Sequence, residues 1–263
     1  MYQFNYRKAS SVEQAADLQA SAEDGVYLAG GMTLIPTLKQ RLAAPSDVID
    51  VGGLDGLRGV DVGATVRIGA LTTHAEVAAS AEVRGAIPAL SDLAEGIGDA
   101  HVRNRGTIGG SVANSDPAAD YPAAVVGLAA TVHTNRRSIA GDDFFTDLFE
   151  TALEEGEIIT SVEFPVPARA AYAKFPNPAS RYAIVGVMVA EVDGAVRVGV
   201  TGAGRCAFRS VELEAALAGG LSVAALDGVS VPSGDFNSDL HASAEYRAHL
   251  VVVMARRAVK ELA

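Results

Sequence analysis

Between Arg103 and Ser111 the chain places two arginines, a threonine and three glycines in nine consecutive positions, Arg-Asn-Arg-Gly-Thr-Ile-Gly-Gly-Ser. Glycine has no side chain and tolerates positive φ, so Gly106, Gly109 and Gly110 read as a sharp turn that brings backbone N–H groups up to a ligand. That chemistry favours an anion, most of all a phosphate. Just downstream, Ser115 and Asp116 precede Pro117 and an alanine-rich run, the composition of a helix N-terminus with proline in its first turn. For a lone Gly-Gly pair a tight surface turn is the better reading. A second glycine loop, Ala29-Gly30-Gly31-Met32-Thr33-Leu34, tips the balance. It follows the strand-like Val26-Tyr27-Leu28 and leads into a helix-like segment from Leu34 to Leu42, an order that aims donors and a positive helix end at an anion. Neither loop fits Gly-x-Gly-x-x-Gly or the Walker pattern, which disfavours a Rossmann site or a P-loop NTPase. Two loops suit two phosphates.

Length and charge bound what such a chain does. At 263 residues, two domains are expected, one of them divided. Against 32 acidic residues stand 21 Lys plus Arg, and a net charge of −11 argues against nucleic acid or an anionic membrane as the main partner. No apolar run approaches the length of a membrane span, and Met1 to Lys8 lacks the apolar core of a signal peptide, so a cytoplasmic protein is expected. Cys206 is the single cysteine, which excludes an internal disulfide and a four-thiolate iron–sulfur or zinc site in this sequence. Any such cluster belongs to a partner. No Ser-His-Asp triad or paired-carboxylate site is evident, and the five histidines lack metal-ligand spacing.

Periodicity gives an α+β order. A strand over 2–6, a helix over 10–20 capped by Ser10 or Ser11, strand 26–28, helix 34–42 and strand 47–51 form a small βαβ-like unit. Strands follow up to Ala70, and Thr73 with Glu76 has capping-box spacing for a helix from His74 to about Ser80. Residues 87–96 read as a helix, 118–130 as a buried helix, 131–134 and 158–164 as strands, and Pro165-Val166-Pro167 as a boundary. Beyond it lie three expected strands, 171–175, 183–192 and 195–201, with a hairpin at Asp193-Gly194. Helices over 211–218, 223–226 and 242–262 close the chain.

The chain resembles the FAD-binding medium subunits of molybdenum hydroxylases, the xanthine dehydrogenase and carbon monoxide dehydrogenase group. The resemblance is carried by Ala29 to Leu34, Ile68-Gly69-Ala70-Leu71-Thr72-Thr73-His74, Arg103 to Gly110, Asp116-Pro117-Ala118-Ala119-Asp120 and Ala183-Ile184-Val185-Gly186-Val187, in the family's order. It implies a bipartite, non-Rossmann FAD-binding domain (PCMH/vanillyl-alcohol-oxidase-like) over residues 1–165, in lobes of about 1–56 and 57–165. A C-terminal domain over 166–263, with a three-stranded antiparallel sheet and helices, would close over the flavin ring. The implied cofactor contacts are Ala29, Gly30, Gly31, Met32, Thr33, Leu34, His74, Thr107, Gly109, Gly110, Ser111, Asn114, Asp116, Asp120, Ile159, Lys174 and Tyr182. Among them, Thr107 and Ser111 act as hydroxyl donors to phosphate, Asp120 accepts from sugar hydroxyls, Tyr182 covers the ring, and Lys174 lends it positive charge. Arg103 and Arg105 are either neutralisers of the pyrophosphate or a solvated or partner-facing surface.

The resemblance further implies an electron-transfer subunit, probed by no catalytic residues of its own. Its molybdopterin cofactor and [2Fe-2S] clusters would sit in a large and a small partner subunit, assembled as a dimer of heterotrimers, with an external electron acceptor. Two other readings remain open on the residues: a free-standing flavin oxidase or reductase, and a non-enzymatic nucleotide-binding assembly protein.

Overall fold

The computed structural model describes residues 1–262. The chain first builds β1 (Asn5–Lys8), α1 (Val12–Ala20), β2 (Gly25–Leu28), α2 (Leu34–Lys39) and β3 (Asp47–Asp50). The three strands form a parallel sheet in the order β1-β3-β2. Ser11 caps α1 by accepting the Gln14 N–H, and Ala15 buries the helix against the sheet with Ile49 and Val51.

A second layer follows, with β4 (Val60–Val62), β5 (Thr65–Gly69), α3 (His74–Ala79), α4 (Ala81–Ala86), α5 (Pro88–Glu95), α6 (Ala100–Arg103), α7 (Ile108–Asn114) and α8 (Tyr121–Gly127). It continues through β6 (Thr131–Thr134), β7 (Ser138–Ala140), α9 (Gly141–Phe144), β8 (Phe145–Asp147), β9 (Glu150–Thr151) and β10 (Ile159–Pro165). Its main sheet is antiparallel, in the order β4-β5-β10-β6-β7. Thr73 and Glu76 close the expected capping box at α3.

The last part comprises β11 (Arg169–Pro176), β12 (Ala183–Val192), β13 (Ala195–Thr201), β14 (Phe208–Arg209), α10 (Val211–Leu217), a 3₁₀ turn (Val223–Leu226) and α11 (Ala244–Glu261). The expected three-stranded sheet is corrected here: β14 pairs with Gly199 and Val200, giving four strands in the order β11-β12-β13-β14. Two residues are too few to show an alternating pattern. Asp193 and Gly194 both take positive φ, 51° and 76°, at the β12–β13 hairpin.

Helix α8 joins the two large sheets. All seven of its residues are buried, as its lack of polar side chains requires. It lies almost in contact with the β13 backbone: a Cβ on Gly199 would sit 2.2 Å from the Ala123 carbonyl oxygen. At the other face of the four-stranded sheet, the buried Arg247 of α11 donates to the Ile184 and Gly202 carbonyls, both at 2.7 Å, and pairs with Asp239.

Two expectations around the central stretch fail. Gly109 and Gly110 lie in the first turn of α7, with Thr107 as its cap, instead of in a turn with positive φ. Two glycines cost a helix about 1 kcal/mol each, which hides it from propensity; the Thr107 cap offsets part of that. Pro117 does not begin a helix either: Ser115 turns the chain through φ 45°, residues 116–119 are irregular, and α8 starts at Tyr121 with Pro122 in its first turn.

Candidate functional site

A cleft of about 650 Å³ runs between the parallel sheet, α7 and the β11–β12 loop. One wall is the β2–α2 loop, where every residue from Ala29 to Leu34 borders the space. Gly31 takes φ 75°, a conformation that suits glycine, and Gly30 lets this loop lie against the next: a Cβ there would be 1.9 Å from the Arg105 carbonyl oxygen. Among the described residues, the N–H groups of Gly30, Gly31, Met32, Thr33 and Leu34 find no protein acceptor. Five consecutive amides without a protein acceptor, on residues that all border the cleft, are donors available to an anion.

The opposite wall is α7, and it works differently from the expected second glycine cradle. Its amides are already engaged: Gly106 N–H to Val102 O at 2.7 Å, Ile108 N–H to Thr72 O at 3.1 Å, Gly109 N–H to Ala70 O at 2.9 Å, and Gly110 N–H to Thr107 Oγ1 at 3.1 Å. Gly109 is there for packing, since a Cβ would meet Ala70 at 2.5 Å. What α7 presents to the cleft is a stripe at helical spacing, Thr107, Gly110, Ser111 and Asn114. The hydroxyls and the amide supply donors while Gly110 leaves room.

His74 borders the cleft at the start of α3, 5% exposed, with its N–H donated to Gly106 O at 3.0 Å and its ring tilted against Tyr121 at 5.3 Å. Burial, helped by Arg103, pushes its imidazole down to about 4, so the ring is neutral at physiological pH. Its Nδ1 and the hydroxyl of Tyr27, another lining residue, are buried with no hydrogen-bond partner in the protein. Such atoms are costly unless a ligand completes them.

The carboxylates Asp116 and Asp120 border the same space, as do Ile159 and Tyr182. Burial pushes the Asp116 carboxyl upward, and its Oδ1 accepts the Ala118 N–H at 2.8 Å. Asp120 is fully enclosed; burial pushes its carboxyl upward too, against Lys174 Nζ at 2.9 Å and the Tyr172 hydroxyl at 2.6 Å. Lys174 does not border the cleft itself: its ammonium is drawn onto Asp120, which does, and onto the Gly96 carbonyl. Tyr182 is 43% exposed at the mouth, on a loop that Asn177 ties by accepting the Ala179 and Ser180 N–H groups. Arg103 turns to the carbonyls of Ile97 and Gly98, and Arg105 is exposed; neither borders the cleft.

Sequence reasoning missed Leu57, Leu71, Ile97, Leu153, Glu157 and Ile158, which also line it. The apolar ones look like ordinary core residues in sequence. Glu157 is held ionised, at about 2, chiefly by Arg137, with Thr134 and the Glu154 N–H adding donors.

The free amides of the β2–α2 loop and the unpartnered His74 and Tyr27 atoms fit a ligand that carries an anionic group such as a phosphate. Residues 2–167 match the family described as FAD binding domain in molybdopterin dehydrogenase. The chain belongs to that family. The nicotine 6-hydroxylase medium subunit of Paenarthrobacter nicotinovorans is 36% identical over 97% of this chain and 96% of its own length. The glyceraldehyde dehydrogenase medium chain of Sulfolobus acidocaldarius is 33% identical over 99% of each. Among solved structures, reconstituted CO dehydrogenase from Oligotropha carboxidovorans superposes with a TM-score of 0.90 at 32% identity, covering 99% of this chain and 97% of that one. The FAD-binding family thus embraces oxidoreductases, and the chain is similar over its length to medium subunits of dehydrogenases of this type. No described helix is long and apolar enough to cross a membrane.

Proposed function

We propose that this chain is the FAD-holding electron-transfer subunit of a cytoplasmic molybdenum hydroxylase. In such a complex a large partner would hold the molybdopterin cofactor that oxidises substrate, a small partner would hold [2Fe-2S] clusters, and this subunit would hand the electrons on to an external acceptor. The complex is a dimer of such heterotrimers. Residues 1–165 form the FAD-binding domain, in lobes of about 1–56 and 57–165, and 166–263 the C-terminal domain.

The observation that carries the reading is the run of free N–H groups from Gly30 to Leu34, inside the part of the chain that matches an FAD-binding family. When bound, FAD supplies redox chemistry that joins one-electron to two-electron steps. The chain's own residues bind and orient: the free amides with Thr107 and Ser111 take the pyrophosphate, Asp120 and Asn114 take sugar hydroxyls, and His74, neutral, donates or accepts one hydrogen bond without adding charge. Tyr182 shields the ring. The single Cys206 cannot ligate a four-thiolate cluster, which supports placing any clusters in a partner. Relatives named for nicotine, glyceraldehyde and carbon monoxide are all similar to this chain over nearly its whole length, which supports a substrate site lying outside this chain.

The test is expression of the chain alone and together with its neighbouring genes, followed by flavin, iron and molybdenum analysis. Flavin alone is expected in the first case and all three in the second, with substrate turnover only in the second. Full turnover by the isolated, molybdenum-free chain would instead make it a free-standing oxidase.

A further inference from the structure

The segment from Pro117 to Asp120 carries one wall of the cleft, yet its anchors come from the four-stranded sheet. The Ala183 N–H donates to Ala118 O at 3.0 Å and the Gly202 N–H to Pro117 O at 2.7 Å. The Thr201 hydroxyl lies 3.0 Å from Pro117 O and 2.7 Å from Ala119 O. From β11, the Tyr172 hydroxyl donates to Asp120 Oδ1 at 2.6 Å, and Lys174 Nζ sits 2.9 Å from the same carboxylate. Space for Tyr172 is made on β12, where a Cβ at Gly186 would be 2.2 Å from its hydroxyl oxygen. Thus β11, β12 and β13 all reach across to one short irregular segment.

We propose that Tyr172, Lys174 and Thr201 are positioning residues through which the C-terminal sheet builds the carboxylate wall of the cleft and sets the affinity for the cofactor. The inference rests on the FAD reading above. A buried carboxylate left without donors favours its neutral form and loses its fixed direction. Tyr172 and Lys174 occupy part of the Asp120 oxygens and hold the rest as acceptors, the form that receives hydrogen bonds from ligand hydroxyls. None of the three borders the cleft, so their effect on a ligand passes through the segment they hold.

The experiment is an FAD titration of the full apo chain, followed by flavin fluorescence, in parallel with thermal unfolding of the apo forms. Tyr172→Phe is expected to raise Kd several-fold, about three- to tenfold, because Asp120 loses a donor that fixes its direction and each lost acceptor contact to the ligand is worth about 1 kcal/mol. Thr201→Val, which keeps side-chain volume, is expected to weaken binding about three- to tenfold, because the Pro117–Asp120 segment loses the hydroxyl that fixes its position beside the ligand. In an Asp120→Ala background Tyr172→Phe should change Kd less than about twofold, because its acceptor is gone. Lys174→Arg should retain more affinity than Lys174→Met. Equal, additive losses in both backgrounds, or unchanged Kd in folded Tyr172→Phe and Thr201→Val chains, would overturn the proposal. If Asp120→Ala does not fold, the Thr201→Val and Lys174 pairs decide alone. Failure of the unmodified chain to bind FAD would overturn the functional reading and this inference with it, whereas normal binding with insensitive variants overturns the inference only.

Discussion

Replacing Gly110 with alanine separates the needs of the fold from those of the cofactor. Gly110 is the third residue of α7 and has helical backbone, so alanine there gains about 0.5–1 kcal/mol of helix propensity. The new methyl would lie 2.9 Å from Thr107 Oγ1, a hydroxyl on a rotatable side chain, and 3.8 Å from Ala29 Cβ on the facing wall. A small shift of the hydroxyl removes part of the gain. The apo protein should therefore change little, its thermal midpoint rising by roughly 0–3 °C at about 2–4 °C per kcal/mol. Cofactor binding should suffer, because the methyl stands between the two walls. At the usual cost of overpacking, about 1–3 kcal/mol, Kd for FAD should rise roughly five- to 150-fold. Flavin fluorescence titration and thermal unfolding without flavin measure the two effects separately. Unchanged FAD affinity in a stable Gly110→Ala chain would refute the assignment of that space to the cofactor, and a marked loss of apo stability would refute the reading of Gly110 as an ordinary helical position.

Gly30→Ala should act in the opposite way: the methyl meets the Arg105 backbone at 1.9 Å, neither loop yields cheaply, and apo stability should fall by about 1–3 kcal/mol, read by denaturant unfolding. Stability equal to the wild type would mean the two loops are not in contact. His74 should show no imidazole titration between pH 8 and 5 by NMR, with a midpoint near the value of about 4 set by its burial. Because that value lies below the unfolded one of 6.5, the neutral ring contributes stability above pH 6.5 that is lost as the pH falls toward 4; a midpoint near 6.5 would contradict it. Glu157, held at about 2 against an ordinary 4.5, contributes stability on the order of 2–3 kcal/mol above pH 4.5 that disappears as pH falls through 2. Glu157→Gln should flatten that acid limb of the thermal midpoint, and an unaltered slope would show the Arg137 pair to be dispensable.

Periodicity and turn chemistry placed the long strands and several caps well. β12 runs from Ala183 to Val192 and β6 from Thr131 to Thr134 as their patterns indicate, and Thr73 and Glu76 close their capping box. Helix α7 stayed hidden because the same glycines that pack it against Ala70 and open the cleft argue for a turn. That both glycine loops border one cleft agrees with the sequence reading, but the difference between them in free and engaged amides was not legible. That depends on which amides are already bonded, and Ala70 and Thr72, which engage α7, lie more than thirty residues away. Lys174 illustrates the same limit. Its charge is plain in the sequence, while its pairing with Asp120 arises from the register of β11 against β12.

The most direct test of the account is to denature the purified full chain and identify what it releases. One FAD per chain, either carried through purification or taken up on reconstitution, is the expected result. Release of FMN, or no flavin after incubation with FAD, would contradict it.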